Sequence, residues 1–327
     1  MEYRLVCQND IAGLLNYNDK VFPERTGVSE TYIMFLFSKS SQEYKNSVLI
    51  DHNGMVRGQM LASSMQFFYG GEVFNSYWAY DLIVDEELRK DAYGLDLIML
   101  YNRVNKVNFS TGSGPTALKL HLALGSKWMG EIRKYVGIGN LLGLPTSLFR
   151  GVVSPSKFPQ TVNVDGTIFA RCSADEIEWN STPFNNTLWE PTRDNHYMRW
   201  RFSSLLHEYA IYRNAESGNY FVLRTIVKKG ITALVLVDFR CNLNQSREFC
   251  AILQAVRKIM RKMWLAILIC GSSHAEVDRQ LERMCMRSIG RPRPIIGRAN
   301  YKDRKEDIAN RNFALVTLAD SDGETLW

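Results

Sequence analysis

The chain reads as an α/β protein of two tandem copies of one unit, each a mixed, mostly antiparallel sheet flanked by helices. Three observations predict this. Asn53-Gly54 and Gly70-Gly71, both strong hairpin signals, join three consecutive strand-like runs into a meander. A helix, a strand, a helix and a strand follow it. The same order returns in the second half of the chain, as expected of a repeated unit.

In order, residues 3–6 read as a short strand, and Asn9-Asp10 caps a helix through Leu15 that stops before Pro23. Ser29 begins a second helix over 30–37. Strands are expected at 47–51, 55–69 and 73–84. The next helix puts Leu97, Tyr101, Val104 and Val107 on one stripe, opposite Asn102, Arg103 and Lys106. A strand at 107–111 follows. Pro115 opens a helix with Ala117, Leu120 and Leu124 on one face, Gly125 ends it, and 128–132 reads as a strand.

Between Gly137 and Asn163 the composition turns to Gly, Pro, Ser and Val without period, which reads as a connector. The expected division is therefore 1–140, a connector at 141–165, and 166–327. In the second part, strands are expected at 167–171, 207–213, 220–227 and 232–239, with Ser173 capping a helix over 174–179. A helix over 246–263 carries Phe249, Leu253, Val256 and Met260 on one face. Its Arg257, Lys258, Arg261 and Lys262 read as a solvated face. A strand at 264–269, a helix at 274–286 and strands near Ile295 and at 313–318 close the pattern.

With 327 residues, 46% hydrophobic and 23% charged, the chain has room for two packed cores. A net charge of +6 suits an anionic ligand, but spread over this length it does not make a nucleic-acid face. No apolar run reaches membrane-spanning length and the N-terminus lacks the regions of a signal peptide, so a cytoplasmic protein without a membrane partner is expected. Six cysteines without metal-ligand spacing read as buried reduced thiols, with no metal site.

The chemistry is expected where the strand Phe74-Asn75-Ser76-Tyr77-Trp78-Ala79-Tyr80-Asp81-Leu82-Ile83-Val84 meets the polar turn 85–94. A strand that passes through a tight basic loop into a helix builds an anion site. The first helical turn has unpaired N–H groups and a positive dipole end, and Gly94 lets a phosphate come close.

This stretch resembles the cofactor loop of GNAT-type N-acetyltransferases, Arg/Gln-x-x-Gly-x-Gly/Ala after a strand ending in Val. Here Val84 precedes Arg89-Lys90-Asp91-Ala92-Tyr93-Gly94; Arg89 and Gly94 match, Ala92 replaces the first glycine and Asp91 adds an anion. A second motif of that family, Asn-x-x-Ala-x-x-Leu-Tyr-x-x-x-Gly, is similar to 114–125. Ala117, Leu120 and Gly125 are in register, with Gly114 at the Asn slot and His121 at the Tyr slot.

The resemblance implies acetyl-CoA as cosubstrate, held by Leu82, Val84, Arg89, Lys90, Ala92, Tyr93 and Gly94. Its pantetheine arm would pair along the open edge near Tyr80 to Val84, as an added strand would, and backbone N–H groups there would stabilise the developing oxyanion. The family's tyrosine at the His121 slot often protonates the departing thiolate. His121, with an ordinary pKa of about 6.5, suits that role; the alternative is a helix histidine with a structural partner. Asp81 is the candidate base, since an acid on an apolar strand needs a partner or a purpose; a structural hydrogen bond is the other reading, and Glu72 is a second candidate beside a turn.

In the second copy, Val237-Asp238-Phe239 leads into Arg240-Cys241-Asn242-Leu243-Asn244-Gln245, which has no glycine, so no pyrophosphate grip is expected there. The segment 194–202, with Tyr197, Arg199, Trp200, Arg201 and Phe202, and the later Asp320-Ser321-Asp322 look like stretches of predicted acetyltransferases of polysaccharide assembly. The aromatics and arginines read either as a sugar-stacking surface or as a structural corner. Ser110-Thr111-Gly112-Ser113-Gly114 lacks the Lys-Ser/Thr of a phosphate loop and reads as a strand-to-helix turn. The function implied is acyl transfer from coenzyme A to an amine, a small molecule or an amino sugar of a polysaccharide precursor. The alternatives are an aminoacyl-tRNA-dependent peptidyltransferase and a non-catalytic acyl-CoA-binding module.

Overall fold

The computed structural model describes residues 1–25, 27–149, 151–176, 178–179, 184–185, 188–203, 206–299 and 315–320. They fall into two compact units. The first comprises residues 1–67, 72–130 and the described residues from Arg293 to Ala299; the second comprises 68–71, 131–292 and 315–320.

From the N-terminus the chain forms β1 (Glu2–Leu5), α1 (Ile11–Val21), α2 (Ser29–Phe37), β2 (Val48–His52), β3 (Met55–Tyr69), β4 (Glu72–Val84), α3 (Tyr93–Val104), β5 (Val107–Thr111), α4 (Pro115–Ala123) and β6 (Lys127–Ile138). Then come α5 (Leu144–Phe149), β7 (Thr161–Val164), β8 (Thr167–Cys172), β9 (Glu190–Pro191), α6 (Asn195–Phe202), β10 (Ala210–Arg213), β11 (Tyr220–Lys228) and β12 (Ile231–Arg240). The last are α7 (Ser246–Lys262), β13 (Ile267–Ser272), α8 (Ala275–Arg283) and β14 (Arg287–Ala299).

In the first unit the strand order is β1-β2-β3-β4-β5-β14. The Asn53-Gly54 and Gly70-Gly71 turns both take two consecutive positive φ angles, the geometry that matches strand twist in a two-residue hairpin. β5 runs parallel to β4, and Ile295–Ala299 of β14 lies antiparallel to β5. One face is covered by α3, whose Leu97, Ile98 and Tyr101 are buried against Val48, Ile50, Met60, Ala62 and Ala79. Each such side chain contributes about 1.5–3 kcal/mol by leaving water.

In the second unit the order is β6-β13-β12-β11-β10-β8-β7, again with one parallel pair, β12 and β13. Residues Arg133 to Ile138 of β6 pair with β13. Along α7, Phe249, Leu253, Val256 and Met260 are buried, while Lys258, Arg261 and Lys262 are exposed.

Several elements depart from the expectation. The units are not consecutive segments divided at 141–165: residues 131–140 group with the second unit and 293–299 with the first, because hydrogen bonding along long strands, not sequence proximity, decides membership. The expected connector holds α5 and β7, and in β7 Val162 and Val164 are buried between exposed Thr161 and Asn163. Ser173 and Glu176 bond each other as a capping box would. No helix follows among the described residues of 174–179; Trp179 turns back instead, its indole N–H donating to the Ala174 carbonyl. β13 begins at Ile267 rather than 264, because Trp264 has a φ of 54° and closes the end of α7. Of 313–318, the described residues form one β-bridge, Ser272 to Thr317, and a short 3-10 turn at Leu318–Asp320; 313 and 314 lie outside the described residues. Only Cys241 and Cys270 are buried thiols, whereas Cys7 and Cys285 are exposed. No helix among the described residues is long and apolar enough to cross a membrane.

Candidate functional site

β4 and β5 pair over Tyr77↔Asn108, Trp78↔Phe109 and Ala79↔Ser110, and no further. Beyond Ala79, no described strand pairs with the β5-facing edge of residues 81–84, which includes half-exposed Leu82 and buried Val84. The divergence coincides with Asp81, whose φ of 46° interrupts the strand's extended backbone. A left-handed non-glycine residue costs about 1–2 kcal/mol, so something must hold it there. Arg25 does, with a bidentate ion pair at 2.6 and 2.9 Å in which both side chains are nearly fully buried. The Arg25 guanidinium also stacks over Phe22, at 3.8 Å from its centroid.

Past Val84 the chain makes a 3-10 turn, Glu86–Asp91, and reaches Ala92 at φ 61°, ψ 11° before α3 starts. The change from right- to left-handed backbone aims successive N–H groups into one concavity. The amides of Ala92, Tyr93 and Gly94 have no acceptor among the described residues, the first hydrogen bonds of α3 being those from Leu95 and Asp96 to the Ala92 carbonyl. Ala92 is exposed and Tyr93 and Gly94 half-exposed, so these groups are open to water, and a concavity of this kind can hold an anion.

The Arg89 Nε donates to the Val84 carbonyl at 2.9 Å, tying the loop to the strand end. Lys90 and Asp91 are exposed. A Cβ on Gly94 would meet only Val84 Cγ2, at 3.7 Å, so internal packing does not demand a glycine there.

The two residues expected to do acid–base chemistry are placed differently. His121 is 3% exposed on α4. Burial, reinforced by the Arg298 guanidinium, pushes its pKa down to about 4. Its Nδ1 has no hydrogen-bond partner among the described residues. At neutral pH it is a neutral imidazole, unlike the readily protonated group that a proton donor to a thiolate requires. Asp81 has both carboxylate oxygens committed to Arg25. Glu72 is exposed at the start of β4.

In the second unit β12 and β13 pair from Ala233↔Ile267 to Leu236↔Cys270 and then diverge in the same way. The loop after β12 differs. The Asn242 amide donates to Glu248, that of Leu243 to Asn185, that of Asn244 to the Asn242 side chain and that of Gln245 to the Asn242 carbonyl. None is left for a ligand.

Asp238 sits in a buried ionic cluster. Arg193 donates to it at 2.8 Å and to Asp320 at 2.7 Å, Arg240 at 2.9 Å, Thr317 at 2.7 Å and the Tyr220 hydroxyl at 2.9 Å. Burial alone would raise the Asp238 pKa, but Arg193 and Arg240 hold it well below the ordinary carboxylate range. Glu190, beside Arg240, is raised by burial. Sequence reasoning missed this cluster and Arg25. The usable signal was Asp238 and Arg240 on an otherwise apolar strand, since buried charges need partners.

The aromatic stretch on α6 is a packed corner. Tyr197, Trp200 and Phe202 are buried, Arg201 donates to the Ala319 carbonyl, and exposed Arg199 pairs with Asp175. The segment 110–114 is a turn from β5 to Gly114, which precedes α4. Ser321 and Asp322 lie outside the described residues.

No protein-family model and no curated protein matches the sequence. Many solved structures resemble it, among them two N-acetyltransferases. One is a GCN5-related N-acetyltransferase from Anabaena variabilis, 13% identical over 94% of this chain and 73% of that one, with a TM-score of 0.59. The other is a GCN5-related N-acetyltransferase from Kribbella flavida, 10% identical over 91% of this chain and 71% of that one, with a TM-score of 0.56. The chain thus has the fold of the GNAT-type acyltransferases.

Proposed function

We propose that the first unit binds an acyl-coenzyme A, acetyl-CoA in the first instance, and transfers its acyl group to an amine. The observation that carries this is the run of three amides at Ala92, Tyr93 and Gly94 with no acceptor among the described residues, placed past the point where β4 and β5 part. A diphosphate fits the amides and the dipole end of α3, with Arg89 and Lys90 outweighing Asp91 in charge. The edge at Tyr80 to Val84 accepts a pantetheine arm as it would an extra strand. Bound there, the cosubstrate supplies an acyl thioester.

The chain's own residues position and exclude. Arg25 and Asp81 fix the bend that opens the edge, and buried His121 stays neutral. With both candidates so committed, the amine loses its proton to water. The pH dependence of kcat/KM then follows the acceptor's own pKa, without an inflection from His121, which burial and Arg298 push down to about 4.

The acceptor class is a small-molecule amine. The amino sugar of a polysaccharide precursor belongs in the panel, although the buried α6 aromatics offer no stacking platform for it. The binding-only alternative draws support from the commitments of His121 and Asp81, and a thiol-release assay over the amine panel separates the two readings. Calorimetric titration of acetyl-CoA tests the core of the proposal. The parent chain should bind, and Gly94→Trp, which crowds the concavity, should weaken binding at least 100-fold. No binding by the parent, or equal binding by both, overturns it.

A further inference from the structure

The gap between the diverging strands of the second unit is filled by the chain itself. Ser272 of β13 pairs with Arg133 of β6 on one edge. A strand has two edges, so its bridge to Thr317 lies on the edge that faces β12. From there the Thr317 hydroxyl donates 2.7 Å to Asp238, which stands on β12 just past the last paired residue, Leu236. Thr317 therefore bonds to both diverging strands.

Its neighbours fasten it. Val316 donates to the Ser273 hydroxyl and accepts from the Ser273 amide, and the Leu315 amide donates to the Trp189 carbonyl. Leu318 packs against Gly271, where an added Cβ would come within 3.0 Å of it and 2.7 Å of the Arg133 carbonyl. Asp320 closes the turn by accepting from the Thr317 amide and is held by Arg193. All six residues from Leu315 to Asp320 are buried. In the first unit no described strand or β-bridge pairs across the corresponding gap beyond Ala79 and Ser110.

We propose that Leu315 to Asp320 is an internal plug that takes the place of an acyl-pantetheine in the second unit, so that the whole chain holds one acyl-CoA and not two. The count of one rests on the function proposed for the first unit; the plug itself does not. Two readouts on the full chain keep them apart, native mass spectrometry with acetyl-CoA and amide exchange with and without it.

Amides of 315–320 should exchange at least about 1000-fold slower than in an unfolded chain, as buried bonded amides do. They should not change when acetyl-CoA is added, and neither should 242–245, whereas 92–94 should slow. One equivalent should bind. Exchange of 315–320 within ten-fold of the unfolded rate overturns the plug. So does a second bound equivalent accompanied by changes at 315–320 or 242–245. Absence of any bound acetyl-CoA defeats the proposed function, while protection of 315–320 still decides the plug. Thr317→Val, which keeps shape and removes one anchor, should raise exchange across 315–320 at least ten-fold; no change counts against the anchoring.

Discussion

The two units share a central strand that parts from its parallel neighbour, but they treat the opening in opposite ways. After β4 the turn leaves three amides without an acceptor among the described residues and partly exposed. After β12 every amide from Asn242 to Gln245 is bonded, and Thr317 stands between the strands. The charge on the strand differs in kind as well. Asp81 has one arginine, whereas Asp238 has two, with Thr317 and Tyr220 donating in addition. A shared backbone bend therefore does not define a site. What defines it is whether the polar groups around the bend are already satisfied from within.

The largest effect expected of this asymmetry is on stability. Asp238→Ala leaves Arg193 and Arg240 buried and under-paired, and should cost about 3–5 kcal/mol in chemical unfolding. Asp81→Ala should fall at the low end, about 3 kcal/mol, because Arg25 keeps its stacking over Phe22. If Asp81→Ala costs more than Asp238→Ala, the second unit is not the more tightly locked.

Next is an acid effect from His121 in the first unit. Because the folded state depresses the His121 pKa to about 4, below the unfolded 6.5, its contribution is fully present above pH 6.5 and is lost as pH falls through 4. That amounts to about 3 kcal/mol across the window. The parent should lose more stability over it than His121→Leu, because His274, also lowered by burial, is common to both; parallel profiles would show that His121 is protonated in the fold. The smallest effect concerns Ala92. Ala92→Gly relieves a left-handed alanine and should stabilise by about 0.5–1 kcal/mol in thermal unfolding, leaving acetyl-CoA affinity unchanged. A loss of affinity would mean that the concavity depends on the alanine methyl.

Much of the scaffold was legible. The meander across Asn53-Gly54 and Gly70-Gly71, the α3 stripe through Leu97 and Tyr101, and the α7 face of Phe249, Leu253, Val256 and Met260 all follow from period and turn chemistry. Asp165-Gly166, between β7 and β8, carries the same hairpin signal, with positive φ at both residues, yet it fell at the edge of a stretch read as a connector. The loop 89–94 could be located, but the left-handed backbone at Ala92 could not be read from an alanine. The burial of His121 beside Arg298 joins residues from opposite halves of the chain, which no local pattern encodes.

By itself the sequence determined the order of elements from β1 to β6, the turns between the hairpin strands and the position of the loop before α3, because these depend on residues a few positions apart. Only the tertiary structure decided which of two similar openings stays available. Asp238 meets Thr317 across 79 positions and Arg193 meets Asp320 across 127. Hydrogen bonds made over such separations are fixed by the packing of the whole unit, and they settle whether a backbone amide is taken or left to a ligand.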